Sequence, residues 1–275
     1  HRDLHLSLRR QRQMCIRDSF TKAVVINGWC PDGVEEWNDW YINGLAHSRR
    51  SEEVLWRPRH DVRGRRNLIS ATLGQGGRRL ADVKLFGTLR VRDWEAIAIN
   101  KENGTSFIYL ADVGGNFVSD KRFSIYKFKE PRVSRTWNGR NIVIRDFKRI
   151  RVKFPRHDWP QLATTATMVV DPLNGDILLL TKNNQRQESK VYKVPQGSGN
   201  SKTKTKKLEY VTTLPNMLVT GADISPSGDI LALTNTGEGW RGRKSDGLMT
   251  WADFLKTGQT PCRLYQEEQL DTSCV

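Results

Sequence analysis

The feature that most constrains the fold is a repeated pair of short apolar runs joined by a turn that contains glycine. The pattern reads EAIAINKENGTSFIYLADV, TMVVDPLNGDILLLTK and GADISPSGDILALTN, with turn glycines 71 and 53 residues apart. An earlier copy, INGLAHSRRSEEVLW, covers residues 42–56. Each run alternates with a period of two, which predicts strands, and the Pro, Asn and Gly of the connections predict tight hairpins.

Further strand-like sequence follows each complete copy, for example RFSIYKFKE and NIVIRDFKRIRVKF after the second. Four strands in each recurring unit predict an all-β fold, a β-propeller of four-stranded antiparallel blades. The longer spacing predicts an insertion at residues 130–160. Only the start of the fourth unit is recognisable, because the pattern stops after GADISPSGDILALTN. We therefore expect a partial propeller of about three and a half blades, whose unpaired edges favour self-association of the isolated chain.

The segments outside the repeats divide the chain further. Residues 1–19 lack an apolar period and contain MCIRDS, which looks like adapter-derived sequence, so we expect a non-native leader. A Trp-rich segment covers residues 20–41, the blades cover 42–240, and residues 241–275 are expected to hold a short helix in DGLMTWADFLKTGQ and an irregular, truncated end. The four cysteines are scattered and form no CxxC pair, which argues against a zinc site; either a Cys30–Cys262 bridge or free thiols are compatible with this pattern.

Charge and hydropathy limit the possible partners. No window approaches the ~18 uncharged apolar residues that a membrane span requires, so the sequence predicts no membrane span. The formal net charge of +15 is concentrated in an arginine-dense stretch that includes residues 57–66. Such a tract can bind a polyanion, although a solvated loop is the simpler explanation.

The ordered series of motifs resembles a family. DWEAIAI, YLADVGGN and SIYKFKEP, followed by the two later copies, resemble a group of largely uncharacterised, secreted six-bladed propellers over residues 42–240. The family is more distantly similar to calcium-dependent lactonases and NHL-repeat propellers. The resemblance implies six blades and an extracellular location. This chain differs from the family pattern at two places. It has RPRHDVRGRRN where the family has a His-Asn-Asp-Ser-Gly run, and Ala166 where the family has Glu.

The resemblance also implies a possible metal site at the starts of the innermost strands. In lactonase-like propellers a ring of Glu, Asn and Asp at this level holds calcium, a hard cation that takes oxygen ligands. Here the matching positions are Asn43, Glu95, Ala166 and Thr220, with Asp93 nearby. Glu95, Asn43 and Asp93 are therefore the candidate calcium ligands. The alternative is that Glu95 is bonded by neighbouring backbone N–H groups at a strand start.

Four further residues are candidates for function. Asp112 and Asn116 in ADVGGN could bind a ligand, or could stabilise a turn through Asx hydrogen bonds. His47 is the candidate general base of a hydrolase, although no Ser-His-Asp or HExxH spacing accompanies it. Asn103 begins an Asn-Gly-Thr sequon in an expected hairpin turn, which makes it a candidate glycosylation site.

These observations leave three functions open. The first is a non-catalytic module that binds a protein or glycan through loops at the mouth of the central channel. The second is a calcium-dependent hydrolase of lactonase or esterase type that uses Glu95. The third is polyanion binding through residues 57–66.

Overall fold

The computed structural model describes residues 44–60, 67–74, 77–87, 94–113, 122–155, 165–183, 185–196, 205–234, 239–244, 249–258 and 261–264. The first half contains nine strands: β1 (Ala46–His47), β2 (Val54–His60), β3 (Asn67–Leu73), β4 (Arg79–Leu85), β5 (Trp94–Glu102), β6 (Thr105–Asp112), β7 (Arg122–Lys129), β8 (Arg140–Ile144) and β9 (Lys148–Lys153). The second half contains nine more and one short helix: β10 (Thr165–Val170), β11 (Ile177–Thr181), β12 (Glu188–Lys193), β13 (Lys206–Lys207), β14 (Glu209–Pro215), β15 (Gly221–Ile224), β16 (Ile230–Thr234), β17 (Gly239–Arg243), α1 (Trp251–Lys256) and β18 (Cys262–Leu264).

These strands form four sheets arranged in a ring, which confirms the predicted all-β, propeller-like fold. In order of pairing they are β1-β2-β3-β4-β8, then β5-β6-β7-β9-β13, then β10-β11-β12-β14, and β15-β16-β17-β18. The innermost strands β1, β5, β10 and β15 open the four units in chain order. Each is followed by a hairpin whose second strand is the next one outward, as the repeated sequence predicts.

The predicted extent of the fourth unit is wrong. Beyond the point where the sequence pattern stops, β17 pairs with β16, and β18 pairs with β17 through Gly239↔Leu264 and Arg241↔Cys262. The fourth sheet therefore has four strands rather than half a blade. The sequence does not predict its two outer strands, because β17 contains two glycines and β18 spans only three residues. Neither strand shows a clear period of two. Six blades remain a prediction.

The connection between the third and fourth strand of a unit reaches back to the preceding sheet. The segment NIVIRDFKRIRVKF forms two strands rather than one, and β8 pairs in parallel with β4 of the first sheet before β9 returns to its own. Similarly, β13 pairs in parallel with β9 of the second sheet. In the fourth unit this connection carries α1, which contacts β14 of the third sheet. Each later unit thus covers the outer edge of the sheet before it.

Three apolar cores lie between successive sheets and hold the ring together. The first contains Trp56 and Trp94, the second Phe154 and Tyr192, and the third includes Trp251 of α1. Helix α1 begins at the N-cap Thr250, whose hydroxyl accepts a hydrogen bond from the Asp253 N–H. Its buried residues are Trp251, Ala252, Phe254 and Leu255. No helix in the described part of the chain is long and apolar enough to cross a membrane.

Candidate functional site

The four inner hairpins meet at one end of the ring and enclose a pocket of about 350 Å³. We call this the hairpin-end pocket. It is lined by residues from all four sheets: Ser48, Arg49, Arg50, Ser51, Glu52, Ile99, Asn100, Lys101, Val170, Pro172, Ile224 and Pro226. A site at the centre of the ring is built from every repeat, so no single motif in the sequence predicts its composition.

A buried carboxylate fixes the first turn of this pocket. Glu130 is 1% exposed, and it accepts hydrogen bonds from Ser48 Oγ at 2.5 Å, Trp56 Nε1 at 2.8 Å and Ser106 Oγ at 2.5 Å. Ser48 Oγ in turn accepts the backbone N–H groups of Arg50 and Ser51, at 3.0 and 3.1 Å. The carboxylate therefore sets the conformation of the turn through Ser48, while Trp56 and Ser106 hold the carboxylate in place.

Three cationic side chains and one carboxylate line the pocket. Arg49 is largely buried and reaches across the ring to the fourth sheet, where it lies 3.9 Å from the Asp223 carboxylate and donates to the Ile224 carbonyl at 3.4 Å. Arg50 and Lys101 are exposed at the rim. Among the described residues that line the pocket, Glu52 is the only acidic one. The pocket therefore favours an anionic group.

Asn100 contributes a polar side chain to the pocket wall. It is 2% exposed and lies in β5 opposite Phe107. Its side chain lines the pocket, so the amide can be reached from there. An amide offers NH2 donors and a carbonyl acceptor. The pocket thus carries a donor and an acceptor that a bound molecule can satisfy.

A cluster beside the pocket is structural rather than catalytic. Glu102, at the end of β5, is hydrogen-bonded to the Tyr109 hydroxyl and to Lys127 Nζ. Burial, reinforced by Glu102, raises the pKa of Tyr109 far above its usual value, so this phenol does not ionise near neutral pH. Lys127 Nζ also lies 4.6 Å from the centre of the Phe107 ring. These contacts stiffen the hairpin that carries Asn100 and Lys101.

A buried ion pair fixes the third turn and the helix. Asp171, which precedes the pocket residue Pro172, is fully buried, and its carboxylate lies 3.7 Å from Lys244 Nζ. The same carboxylate accepts the Trp251 backbone N–H at 3.3 Å, and Lys244 donates to the Met249 carbonyl at 2.7 Å. Trp251 Nε1 donates to the Gly228 carbonyl in the fourth turn, at 3.0 Å. Helix α1 therefore ties the third and fourth turns together.

Among the predicted site residues, His47 lies at the pocket end of the ring. It is 4% exposed, and its ring nitrogens lie 2.8 Å from the main-chain carbonyl oxygens of Ser48 and Glu52. Both nitrogens are engaged within the first turn, so the ring is not positioned as a general base. Its observed role is to hold the turn that carries Ser48 to Glu52.

Glu95 and Asp112 lie at the other end of the ring. Glu95 is the extra residue of a β-bulge, because the pairing of β5 with β6 shifts between Trp94 and Ala96. Glu95 and Asn100 are five positions apart, or about 16 Å along β5. Asp112 is buried in β6, opposite Trp94 and Ser124, and is not part of a turn. The structure therefore does not bring these two carboxylates to the pocket.

The proposed calcium site stays a prediction. Asn43 and Asp93, as well as the candidate ligand-binding residue Asn116, lie outside the described residues. The described residues contain no group of three His, Cys, Asp or Glu side chains that could hold a metal ion. Glu95 lies in a β-bulge, and bulges often redirect a side chain at a functional site. A calcium titration would test whether Glu95 is a ligand.

Asn103 lies where the sequon predicts, at an exposed hairpin turn. It has a φ of 47° and is followed by Gly104 at 76°, as in a type I′ turn between β5 and β6. Asparagine tolerates this conformation well, so the turn alone explains its presence. Glycosylation of Asn103 remains a prediction, and a glycan there would stand beside Lys101.

The arginine tract begins inside a sheet. Arg57 and Pro58 are buried in β2, opposite Ser70 and Ile69, so this part of the tract does not form a solvated loop. Residues 61–66 lie outside the described residues. Polyanion binding through 57–66 therefore rests on its second half.

Sequence reasoning missed Glu130, Asn100, Arg50 and Lys101. Glu130 is the acidic residue of SIYKFKEP, which was noted only as part of a family motif; a charged residue directly after a strand was the available signal. Asn100 was also detectable as an amide within an otherwise apolar strand run, AIAIN. The two cations carried no signal, since surface cations are common in this basic chain.

Comparisons with known proteins add little to this picture. No family model matches the chain, and no curated protein matches it. Among solved structures, one chain of the crystal structure of a mitotic checkpoint complex is similar, with 14% identity and a TM-score of 0.37 over 74% of this chain. The match covers 51% of that chain, so this chain spans about half its length.

Proposed function

We propose that this chain is a non-catalytic binding module that holds a protein or glycan ligand at the hairpin-end pocket, through an anionic group of the ligand. The observation that carries the proposal is the convergence of turns from all four sheets on one pocket with a cationic rim. Ligand sites on repeat folds commonly lie where short loops from successive repeats meet. The candidate hydrolase groups support catalysis less well, because His47 is engaged in its own turn and Glu95 lies at the other end of the ring.

The rim supports an anion because two of its cations are available. Arg49 is committed to the fourth sheet through Asp223 and Ile224, whereas Arg50 and Lys101 extend to solvent from two different sheets. A carboxylate or sulfate between them would accept charge-assisted hydrogen bonds, each worth about 1.5–3 kcal/mol. Ser48, Glu130 and His47 keep the first turn rigid, so little conformational entropy is lost when the ligand binds.

Asn100 supplies selectivity below the rim. A ligand that offers both a donor and an acceptor satisfies its buried amide, whereas a simple anion satisfies only the NH2 group. A carboxylated or sulfated sugar with a neighbouring hydroxyl has this combination, and so does an acidic peptide with its backbone. A site built to hydrogen-bond a ligand discriminates strongly against analogues that leave its buried groups unpaired.

The test uses the full chain on an array of carboxylated glycans, sulfated glycans and acidic peptides, followed by titration of the strongest probe. We expect Arg50→Gln with Lys101→Gln to weaken binding about tenfold or more, since one lost charge-assisted bond of ~1.5 kcal/mol has this effect. Lys84→Gln with Lys129→Gln removes the same charge from exposed lysines elsewhere and is the matched control. Equal losses in the two double variants would contradict the proposal.

Asn100→Ala provides a second, independent readout. We expect weaker binding of the same probe with little change in the free energy of unfolding, because the amide lines the pocket. A structural asparagine would behave in the opposite way. A large loss of stability with unchanged affinity would therefore overturn the role assigned to Asn100.

A further inference from the structure

The outer edge of the second sheet carries a dense group of cations that the hairpin-end pocket does not use. Strands β9 and β13 have the sequences KRIRVK and KK. We call their six basic residues the outer ridge: Lys148, Arg149, Arg151, Lys153, Lys206 and Lys207. The side chains of Lys148, Arg149, Lys153 and Lys207 are exposed, and those of Arg151 and Lys206 are half-buried.

Strand register brings these like charges together instead of separating them. β13 pairs in parallel with β9 so that Lys207 lies opposite Lys153, and Arg122 of β7 lies opposite Lys153 from the other side. Three cationic positions thus follow one line across three adjacent strands, with about 4.8 Å between neighbouring strands. Along β9, alternate residues on one face stand ~7 Å apart, and positions 149, 151 and 153 of this face are all cationic.

Three of the six ridge cations, Lys148, Lys153 and Lys207, form no ion pair within the described part of the chain. Like charges directly opposite each other in a sheet are destabilising. Arg149 donates to Ser124 Oγ at 2.9 Å and lies over the Tyr126 ring, so its guanidinium is held in position without a carboxylate. Burial, together with the positive charge of Lys148, lowers the pKa of Lys206. A surface that concentrates uncompensated cations gains free energy when a polyanion covers it.

We propose that the outer ridge binds a sulfated glycan chain. The edge position suits a linear ligand, since β13 ends its sheet and cations lie on both faces of β9. Sulfate groups are tetrahedral anions that lysine ammonium groups can bind as point charges, without the planar fork that arginine supplies. A nucleic acid fits less well, because the large hydrophobic side chains exposed in the described residues are Phe86, Val143, Leu173 and Tyr210, and none lies on β7, β9 or β13. Single-stranded nucleic acid requires aromatic stacking platforms of that kind.

This surface is separate from the arginine tract at 57–66 and from the hairpin-end pocket. Its residues come from the crossover strands that cover one sheet with the next unit, not from the inner hairpins. The pairing of β9 and β13 joins two basic segments that are far apart in the sequence, and it places Lys207 opposite Lys153. Glycan binding at the outer ridge therefore does not depend on which ligand the hairpin-end pocket holds.

The experiment measures binding of the full chain to a fluorescein-labelled heparin oligosaccharide over a series of NaCl concentrations. Counterion release makes the logarithm of the binding constant fall linearly with the logarithm of salt, and each cation removed from the contact lowers the slope by about one. We expect Lys153→Gln with Lys207→Gln to lower the slope by about two. Because each glutamine replaces an exposed lysine that lies beside like charge, the double variant should fold at least as stably as the parent.

Lys84→Gln with Lys129→Gln is the matched control, and we expect it to retain the parent slope. Four results would overturn the proposal: no binding of heparin by the parent chain, equal loss in both double variants, undiminished binding of a desulfated oligosaccharide, or tighter binding of duplex DNA than of heparin. The second would assign binding to net charge alone, and the last would assign the ridge to nucleic acid. A melting curve of each variant confirms that it is folded.

Discussion

Replacing the buried carboxylate of Glu130 should destabilise the whole region between the first and second sheets. Three side-chain donors point at this carboxylate, from Ser48, Trp56 and Ser106, at 2.5–2.8 Å. Hydrogen bonds to a charged group contribute about 1.5–3 kcal/mol each. The two serine hydroxyls can rotate toward other acceptors in Glu130→Ala, but the buried indole N–H cannot. We therefore expect Glu130→Ala to lower the free energy of unfolding by about 3–5 kcal/mol.

Urea denaturation measures this loss, and a double-mutant cycle isolates the indole contact. Trp56→Phe keeps an aromatic ring in the first core and removes the N–H donor. If the contact stabilises the fold as its geometry indicates, the coupling energy between Glu130→Ala and Trp56→Phe should be about 1–2 kcal/mol. A coupling near zero, or a loss below about 1 kcal/mol in Glu130→Ala, would refute the reasoning. Glu130→Gln keeps the shape and one acceptor oxygen, so we expect an intermediate loss.

The same variant tests whether Glu130 positions the pocket. Its hydrogen bond to Ser48 orients the hydroxyl that accepts the backbone N–H groups of Arg50 and Ser51. In Glu130→Gln we expect these two amides to exchange hydrogen faster with solvent, while amides of the fourth sheet keep their protection. Uniform acceleration across all four sheets would indicate a global loss of stability instead of a local effect on the turn.

Three further predictions concern stability. Lys244→Met leaves the carboxylate of Asp171 buried without its cation and should lower the free energy of unfolding by about 3–5 kcal/mol, part of which Asp171→Asn in the same chain should restore in urea denaturation. Gly228→Ala should cost more than Gly104→Ala, because both have φ near 80° but only at Gly228 would the new Cβ meet a leucine side chain, at 2.7 Å; equal losses would show that this contact relaxes freely. Hydrogen bonds from two serine hydroxyls of its turn lower the pKa of Asp229, so its contribution to stability is complete above the carboxyl pKa of the unfolded chain and disappears as pH falls through the folded value. Asp229→Asn should therefore reduce the loss in free energy of unfolding that occurs as the pH is lowered in the acid range. An unchanged loss would contradict this assignment.

The inner hairpins could be predicted from the sequence because local chemistry determines them. Gly104, Gly175 and Gly228 all have φ between 74° and 80°, the positive values that the turn pattern requires. The strands on either side are short and rich in β-branched and other apolar residues, and the turn sets their register. Wherever strand and turn signals agree in one short segment, the prediction is confirmed.

The crossover strands and the candidate site could not be predicted in this way. β8 and β13 pair with sheets that precede them, so their positions depend on tertiary contacts and not on local preference. The network of Glu130 joins residues 82, 74 and 24 positions away in the chain. The family resemblance predicts a site at the strand starts, including Glu95, whereas the pocket lies at the opposite ends of the same strands. The position of the pocket depends on the turns of all four repeats together.

The crossovers also give the predicted self-association a location. β8 covers the edge of β4, β13 covers the edge of β9 and α1 contacts β14, so β8, β13 and β18 are the outermost strands of their sheets within the described residues. An uncovered edge strand offers backbone N–H and C=O groups to another chain, and lysines on an edge oppose this pairing, which disfavours the two-lysine strand β13. If the isolated chain self-associates, we expect β8 or β18 to be the contact, so hydrogen exchange at residues 140–144 or 262–264 should slow as protein concentration rises in step with the mass measured by sedimentation. A rising mass with unchanged exchange at these residues would place the contact elsewhere, and a monomer at all concentrations would show that the edge needs no partner.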